Sequence, residues 1–336
     1  MSTIYDIAKK AGVSASTVSR ALNGSGYCDE RTKSQIQKVA QELNYIPDSS
    51  AKMLRSKRTK RIVLAIPDIC NPFYFDMIYG VNSILEKYDY LMILIYTKHS
   101  LDEELKAIQN VKGKIADGMI MVSFNFCEKN IKAINSLNVP VVITNKYESA
   151  HKNDSFDYVH VDTYLGIKMA TEHLLKQGHE KIAFMGGNME EQTGHERFLG
   201  YRDAIIDAGL RINEKYILQS NYTESGGYMC TRELLKRESL PSAIVAANDL
   251  MAIGAMSALE ESGLRIPDDM AVVGMDNTQS AIRVTPKLSS VAMMQEEIGR
   301  NAAQILMDNI LNESSEKKRV RLLPRLVVRD SSVQLG

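Results

Sequence analysis

From residue 61 onward, short apolar runs alternate with longer segments in which apolar residues recur every three or four positions. The short apolar runs have the length of buried β-strands. A spacing of three or four positions between apolar residues is typical of amphipathic helices. The predicted strands are 62–66, 91–95, 118–122, 139–144, 181–185, 243–246 and 271–274. Strands that alternate with helices predict an α/β fold built from doubly wound parallel sheets.

This body is too long for one ordinary sheet, so we divide it into two lobes. The first lobe is predicted at about 61–158 plus 290–318, and the second at about 159–289 plus 319–330. Two such lobes enclose a cleft, and in open α/β sheets ligands bind beyond the carboxyl ends of the strands. The loops after the predicted strands are therefore where binding residues are expected.

The first 46 residues show a different pattern, that of three short helices. Thr3 with Asp6 predicts a capped helix start, and Gly12 predicts its left-handed end. Ser14 and Asp29 predict the caps of a second and a third helix. The inward-facing positions are Ile7, Ala8, Val18, Leu22, Ile36, Val39, Ala40 and Leu43. The pattern predicts a small all-α head in which two helices meet at a tight turn. Such a pair of helices can bind DNA, and a generic helical hairpin without that function is the alternative.

Charge separates this head from the body, although the net charge of the chain is +0. Residues 1–61 carry 12 Lys and Arg against 5 Asp and Glu, whereas residues 62–336 carry 29 against 36. Such asymmetry favours a polyanion-binding head on an acidic body. An ordinary solvated, charged end of the chain is the alternative.

The outer face of the second helix is predicted to carry Ala15, Ser16, Ser19 and Arg20. Small residues at the start of a helix allow close approach to DNA, and arginine can hold guanine O6 and N7 in the major groove. This composition suits a helix that enters the groove by its N-terminal end.

Residues 4–14 (IYDIAKKAGVS), 17–23 (TVSRALN) and 43–47 (LNYIP) closely resemble the head of the lactose- and galactose-repressor family. The resemblance implies that the second helix reads operator DNA. It implies base contacts from Ala15, Ser16 and Arg20, and phosphate contacts from Thr17, Ser19 and Asn23. It also divides the chain into a helix-turn-helix head at 1–46, a hinge helix and linker at 47–60, and an effector-binding and dimerisation domain at 61–330.

The hinge segment is too short to form a stable helix by itself. In the family, the corresponding segment orders on operator DNA and inserts a leucine wedge into the minor groove. The resemblance assigns that wedge to Leu54, with Ala51 one turn earlier, and unstacking by such a wedge is repaid by contacts to bent DNA. Packing of Leu54 against the body is the alternative.

The resemblance extends more loosely over the body, through residues 67–74 (PDICNPFY), 197–201 (RFLGY), 247–252 (ANDLMA) and 274–277 (GMDN). It implies the periplasmic sugar-binding fold used as a sensor. By that resemblance, the ligand contacts come from Asp68, Asn71, Phe73, Arg197, Tyr222, Asn248, Asp249 and Asp276. Carboxylates, amides, a guanidinium and two aromatic rings suit a polyol. A helix-capping role alone is the alternative for Asn248 and Asp249.

Two departures from the family bear on the effector. Residues 190–192 (EEQ) stand where purine-responsive members carry an arginine, which argues against an oxidised purine and against a strongly anionic ligand. Asn145 and Lys146 replace a frequent Asp-Arg pair. Lys146 could recognise a phosphate or an acid, so a sugar acid stays open.

Other classes of protein lack support in the sequence. No dinucleotide or P-loop motif and no H-x-x-x-H pair occurs, so we expect neither an enzyme nor a metal or other cofactor. The four cysteines have no paired spacing. A periplasmic binding protein would need a secretion signal, which we do not find, and an architectural DNA-binding protein is a third class. No apolar run of about 18 residues occurs, so neither a membrane span nor a membrane partner is expected.

The expected protein is a cytoplasmic homodimeric regulator on a pseudopalindromic operator, with a small carbohydrate effector. The absence of a leucine-rich heptad tail favours a dimer over a tetramer. Repression is expected only from what is usual in the family, and whether the effector acts as inducer or corepressor stays open.

Overall fold

The computed structural model describes residues 2–23, 27–45, 58–123, 127–145, 156–312 and 316–333. The chain forms two compact units, Met1–Thr59 and Lys60–Gly336. The predictions made for Ala51, Leu54 and Lys146 lie outside the described residues.

The first unit contains helices α1 (Ile4–Ala11), α2 (Ala15–Asn23) and α3 (Glu30–Glu42). Thr3 and Asp6 exchange hydrogen bonds in a capping box, and Gly12 ends α1 with φ +68°. Ser14 Oγ accepts a hydrogen bond from Thr17 N at 3.2 Å, and Asp29 Oδ2 accepts one from Thr32 N at 3.1 Å. The core of this unit consists of Ile7, Ala8, Ala11, Val18, Ala21, Ile36, Val39 and Ala40. The three predicted helix starts are thus confirmed.

The described strands of the second unit build two six-stranded sheets. Their bounds are β1 (Arg61–Ile66), β2 (Leu91–Tyr96), β3 (Gly118–Met121), β4 (Val141–Ile143), β5 (Asp157–Val161), β6 (Ile182–Gly186), β7 (Ile217–Gln219), β8 (Ala243–Ala246), β9 (Ala271–Asp276), β10 (Ser289–Ala292), β11 (Arg319–Leu322) and β12 (Arg325–Val327). The strand orders are β11-β5-β4-β3-β1-β2 and β12-β10-β9-β8-β6-β7. Every described pairing is parallel except that of β10 with β12. The predicted α/β class is therefore confirmed.

Helices cover both sheets. They are α4 (Phe73–Leu85), α5 (Leu101–Lys112), α6 (Glu128–Asn135), α7 (Thr163–Lys176), α8 (Gln192–Asp207), α9 (Glu224–Leu234), α10 (Asp249–Glu261) and α11 (Gln295–Asn312). Short 3₁₀ turns lie at Glu86–Tyr88, Glu214–Tyr216 and Gln279–Ile282. We call the first sheet with α4, α5, α6 and α11 the first lobe, and the second sheet with α7 to α10 the second lobe. No described helix has both the length and the apolar character needed to cross a bilayer.

Two glycines bring α4 and α11 into backbone contact. A Cβ at Gly80 would lie 2.2 Å from the carbonyl oxygen of Glu296, and one at Gly299 would lie 2.3 Å from that of Met77. Helix backbones this close leave no room for a side chain at either position. The tight pairing fixes α11 on the first lobe directly after the chain has left the second.

The described chain passes between the lobes after β5, after β10 and after β11. All three predicted boundaries between the lobes are displaced by a few residues. Strand β5 extends to Val161 within the first sheet, and β11 belongs to that sheet rather than to the second lobe, because the two strands pair with each other. Strand β10 keeps residues 290–292 in the second sheet, where it pairs with β9. The chain therefore leaves one lobe for the other only after the last residue of a paired strand.

Candidate functional site

A cavity of about 190 Å³ lies between the two lobes at the carboxyl ends of the parallel strands. Residues at or just after strand ends supply much of its wall: Asp68, Val122, Thr144, Asn145, Val161, Asn248 and Asp276. The remainder comes mainly from α4, from the start of α8 and from the loop before α9. We call this cavity the inter-lobe pocket.

Most of the residues assigned to a ligand by resemblance line this pocket. They are Asp68, Asn71, Phe73, Arg197, Tyr222, Asn248 and Asp276. They come from both lobes, with Asp68, Asn71 and Phe73 on the first and the other four on the second. A molecule held by all of them would therefore touch both lobes.

The loop after β1 is shaped by its own polar side chains. Asp68 Oδ1 accepts a hydrogen bond from Cys70 N at 2.8 Å, and Asn71 Oδ1 accepts one from Phe73 N at 3.0 Å. Bonds of this kind, from a side chain to the backbone two residues on, stabilise tight turns. They present Phe73, the first residue of α4, to the pocket.

The side chain of Asn248 makes hydrogen bonds to the protein backbone with both its amide oxygen and its amide nitrogen. Its Oδ1 accepts from Met251 N at 2.9 Å and caps α10, while its Nδ2 donates to the carbonyl oxygen of Tyr222 at 2.9 Å. Tyr222 has a φ of +62°, a left-handed conformation that is costly for a tyrosine. Asn248 thus lies at the pocket and also holds Tyr222 in place.

Asp249 does not line the pocket, so its predicted ligand contact is wrong. The side chain is buried, and its carboxylate accepts hydrogen bonds from Thr278 N at 2.7 Å, from Thr278 Oγ1 at 3.0 Å and from Ser290 Oγ. As the first residue of α10, it points to the segments after β9 and in β10 rather than to the cleft. Burial raises its pKa to about 6.

Asp276 is the buried carboxyl that does reach the pocket. Burial raises its pKa well above the ordinary value, the charge of Asp249 raises it further, and Arg197 opposes the rise. Its backbone has a φ of +123°, and Gln295 Nε2 donates to its carbonyl oxygen. Unusual backbone conformations of this kind are typical of ligand sites, where the surrounding structure holds them.

Arg197 and Tyr222 form the opposite wall. The guanidinium carbon lies 5.4 Å from the centre of the tyrosine ring, a cation–π distance. The ring packs directly on the backbone at Gly187, where a Cβ would lie 1.9 Å from Tyr222 Cζ. Gly187 is therefore required for the position of the ring.

Several buried polar atoms at the pocket have no hydrogen-bond partner among the described residues: Thr144 Oγ1, Thr193 Oγ1 and Arg197 Nε. Buried polar groups are normally paired, so such a cluster indicates a place where a polar ligand or water binds. Thr144 and Thr193 were not predicted from the sequence. The signal for Thr193 was its position one turn before Arg197 on α8, and that for Thr144 was its place at the end of β4.

A second, larger groove of about 800 Å³ lies beside the β5–β11 edge of the first sheet. Its charged groups already have partners, since Arg321 pairs with Asp162, and Glu196 Oε2 accepts a hydrogen bond from Thr163 Oγ1 at 3.0 Å. It lacks the strand-end position and the cluster of unpartnered buried atoms found among the described residues of the inter-lobe pocket. Size alone therefore does not make it the better candidate.

In the head, α2 exposes Ser16 and Arg20, whose Nε lies 3.4 Å from the carbonyl oxygen of Ser16. Ala15 and Thr17 are half-buried. Ser19 is 8% exposed, so its placement on the outer face is wrong. Helix α2 packs against both α1 and α3, and its buried sector is wider than the spacing of Val18 and Leu22 indicated.

Asn23 ends α2, while Ala51 and Leu54 lie in the part of the chain that the structure does not describe. Within the described residues, no cluster of three or more His, Cys, Asp or Glu side chains could hold a metal ion.

Comparison with known proteins gives consistent matches. The family of bacterial regulatory proteins called the lacI family matches residues 3–48, and a periplasmic binding protein-like domain matches residues 171–332. Catabolite control protein A of Priestia megaterium is 33% identical over 331 residues, which are 98% of this chain and 99% of that protein.

Solved structures agree with these matches. The transcriptional regulator CelR in its cellobiose complex is 30% identical, with a TM-score of 0.75 over 98% of this chain and 100% of that one. The lac repressor dimer bound to operator and the anti-inducer ONPF covers 99% of each chain with a TM-score of 0.88. At 24% identity, this last match bears on the fold alone.

Proposed function

This chain belongs to the lacI family of bacterial regulatory proteins, and on that premise we propose that a small polyhydroxylated effector binds its inter-lobe pocket and thereby sets its affinity for operator DNA. The protein is a DNA-binding transcription regulator of the repressor type, with operator DNA, an effector and a second copy of itself as partners.

The observation that carries the proposal is the set of unpartnered buried polar atoms in the pocket. Thr144 belongs to the first lobe, whereas Thr193 and Arg197 belong to the second. A ligand that satisfies all three must contact both lobes, so it favours one arrangement of the lobes over others. A ligand shifts a conformational equilibrium by its difference in affinity for the two states.

The lining favours a sugar. Carboxylates and amides exchange hydrogen bonds with hydroxyl groups, and Phe73 and Tyr222 offer apolar faces to a sugar ring. The cellobiose complex of CelR is a precedent for a sugar on this fold. Pockets for drug-sized ligands are roughly 300 Å³ or larger. The present volume of about 190 Å³ therefore suits a monosaccharide better than a longer sugar.

For the DNA side, we assign base contacts to Ala15, Ser16 and Arg20, and phosphate contacts to Thr17 and Asn23. Exposure of Ser16 and Arg20 on α2 supports this assignment. The minor-groove wedge at Leu54, with Ala51 beside it, rests on the family resemblance. Each half of a pseudopalindromic operator would take one head of the dimer. The protein would act in the cytoplasm, where operator DNA is, and would carry out no catalysis.

The test is an operator selection on the purified full chain at physiological salt, repeated with a panel of neutral sugars, sugar acids and sugar phosphates. We expect a pseudopalindromic site whose affinity changes with one compound, and loss of that response in Arg197→Ala. His195→Ala, in the larger groove, is the matched control and should respond normally. Salt-sensitive binding without sequence preference, unaffected by every compound, would mean an architectural DNA-binding protein instead.

A further inference from the structure

We propose that Glu191 makes the inter-lobe pocket selective for a sugar that carries a protonated amine. This inference rests on the proposed effector role of the pocket and names the chemical class of its ligand. It comes from the balance of charge around the cavity and from the unusual position of one glutamate.

The pocket lining contains more carboxyl groups than lysine and arginine side chains. Among the described residues that line it, Asp68, Glu191 and Asp276 are acidic, and Arg197 is the one lysine or arginine. Directly behind Asp276 lies a further buried carboxyl, that of Asp249. An added negative charge on a ligand would lie close to the carboxylates of Asp68 and Glu191 and be repelled by them, whereas a positive charge would be attracted.

Arg197 cannot balance these acids alone. Its guanidinium stacks on Tyr222 at 5.4 Å, and its charge already acts on the buried Asp276. Arg329, which acts on Asp249, donates its own hydrogen bonds to the carbonyl oxygen of Leu288 and to Asn277 Oδ1. No ion pair between either cation and Glu191 is found among the described residues.

Glu191 occupies the N-cap position of α8 yet makes no capping hydrogen bond. Capping oxygens usually stabilise the first turn of a helix, and Asp29, Asp162 and Asn248 do so in this chain. The Glu191 carboxylate instead lines the pocket, where its described contact is Asn188 Nδ2 at a long 3.4 Å. A half-buried carboxylate that forgoes the cap is available to a ligand.

An ammonium group satisfies such a site better than a hydroxyl does. It supplies three donors and no acceptor, and its hydrogen bonds to carboxylates are charge-assisted. A neutral sugar would give the Glu191 carboxylate no cationic partner, and a sugar phosphate or sugar acid would place a second negative charge near it. The volume of about 190 Å³ suits a ligand of about one sugar ring. A hexosamine meets both requirements.

Glu190 offers a matched control. It is adjacent, exposed and absent from the pocket lining. Binding of glucosamine, galactosamine and mannosamine to the full chain would be measured by calorimetry below neutral pH, beside the parent hexoses and the N-acetylated forms. We expect one hexosamine to bind at least about tenfold more tightly than its parent hexose. Glu191→Gln should abolish that ratio, and Glu190→Gln should keep it.

Charge reversal provides a second variant. Glu191→Lys should bind a hexose phosphate more tightly than the hexosamine, with its operator binding in the absence of ligand reporting that it is folded. If a neutral hexose binds the natural chain as tightly as its amine, or if Glu191→Gln and Glu190→Gln behave alike, this inference is overturned while the proposed function stands. If no compound binds or alters operator affinity across the wider panel, the proposed function fails, and this inference fails with it.

Discussion

The guanidinium of Arg197 lies over the ring of Tyr222, 5.4 Å from its centre, and the ring in turn rests on the backbone of Gly187. The stack fixes the plane of the guanidinium, so that the unpartnered Nε is held at the pocket rather than free to move into solvent. A planar, multidentate donor in a fixed orientation is what distinguishes arginine from lysine at such a site.

Arg197→Lys should therefore weaken effector binding at least about tenfold although the charge is kept, since hydrogen bonds to charged groups contribute about 1.5–3 kcal/mol. Calorimetry with the sugar identified by the panel measures this loss. Arg202→Lys, on the same helix but outside the pocket lining, is the control. Equal affinity in both variants would remove Arg197 from the binding site.

Arg20→Ala should relax the preference for one base pair in each half-site, at a cost of about 1–3 kcal/mol. The physical reason is the loss of a bidentate donor from the exposed face of α2. Competition binding with operators substituted one position at a time measures it, and Arg31→Ala on α3 serves as the control. Uniform weakening on all sequences would place Arg20 on phosphate.

Leu54→Ala should weaken operator-specific binding and leave the salt-dependent, non-specific component nearly unchanged. An apolar wedge acts on base stacking, whereas non-specific binding depends on phosphate contacts and released counterions. Affinity as a function of salt, measured on operator and on unrelated DNA, separates the two. Equal losses on both DNAs would contradict the wedge.

Asp249 gives the stability of the body a pH dependence of known sign. Because its folded-state pKa is raised from 3.8 to about 6, the folded protein keeps a proton that the unfolded chain releases. Stability from this group is therefore present below pH 3.8 and is lost as the pH rises to about 6.

Urea unfolding across that interval should show the fall in the natural chain and a flatter profile in Asp249→Asn. Asp268→Asn, at an exposed acid of the same lobe, should keep the natural profile. An unchanged fall in Asp249→Asn would mean that another group is responsible.

Gly80→Ala should destabilise the body by about 1–3 kcal/mol, because the new methyl would meet a backbone carbonyl at 2.2 Å and cannot be accommodated by a side-chain rotation. A lower urea midpoint with an unchanged slope is the expected signature. Asn82→Ala, half-buried on the same helix, should have a smaller effect. Similar midpoints for the two variants would show that α4 and α11 can separate at little cost.

Local features could be predicted from the sequence because their causes are local. Thr3, Ser14 and Asp29 cap helices through atoms within three residues, and the strand cores of β1, β2 and β8 are continuous apolar runs. Strand β5 was missed since it contains Asp157 and His160 and is defined by its pairing with β11, far along the chain. The pattern along a segment does not record such a distant partner.

The contrast between local and distant partners also explains which residues of the inter-lobe pocket could be predicted. Residues such as Asp68 and Arg197 were found through a family resemblance, and the structure brings them to one cavity. Asp249 was misplaced because its partners Thr278 and Ser290 are 29 and 41 residues away. In the sequence, Glu191 was notable only because residues 190–192 differ from the pattern of purine-responsive members of the family. Only the structure shows that its side chain makes no capping hydrogen bond to α8 and is therefore available to a ligand.

Because β11 and β12 lie near the end of the described chain, the two sheets can be completed only late in translation. Each strand completes the edge of a different sheet, so the first sheet lacks a strand until residue 322 has left the ribosome, and the second until residue 327 has. The helical head, by contrast, has its whole core by residue 40. Domains generally fold as units during translation, the N-terminal one first. A nascent chain of this protein thus has a DNA-reading head well before it has a completed sensor to govern it.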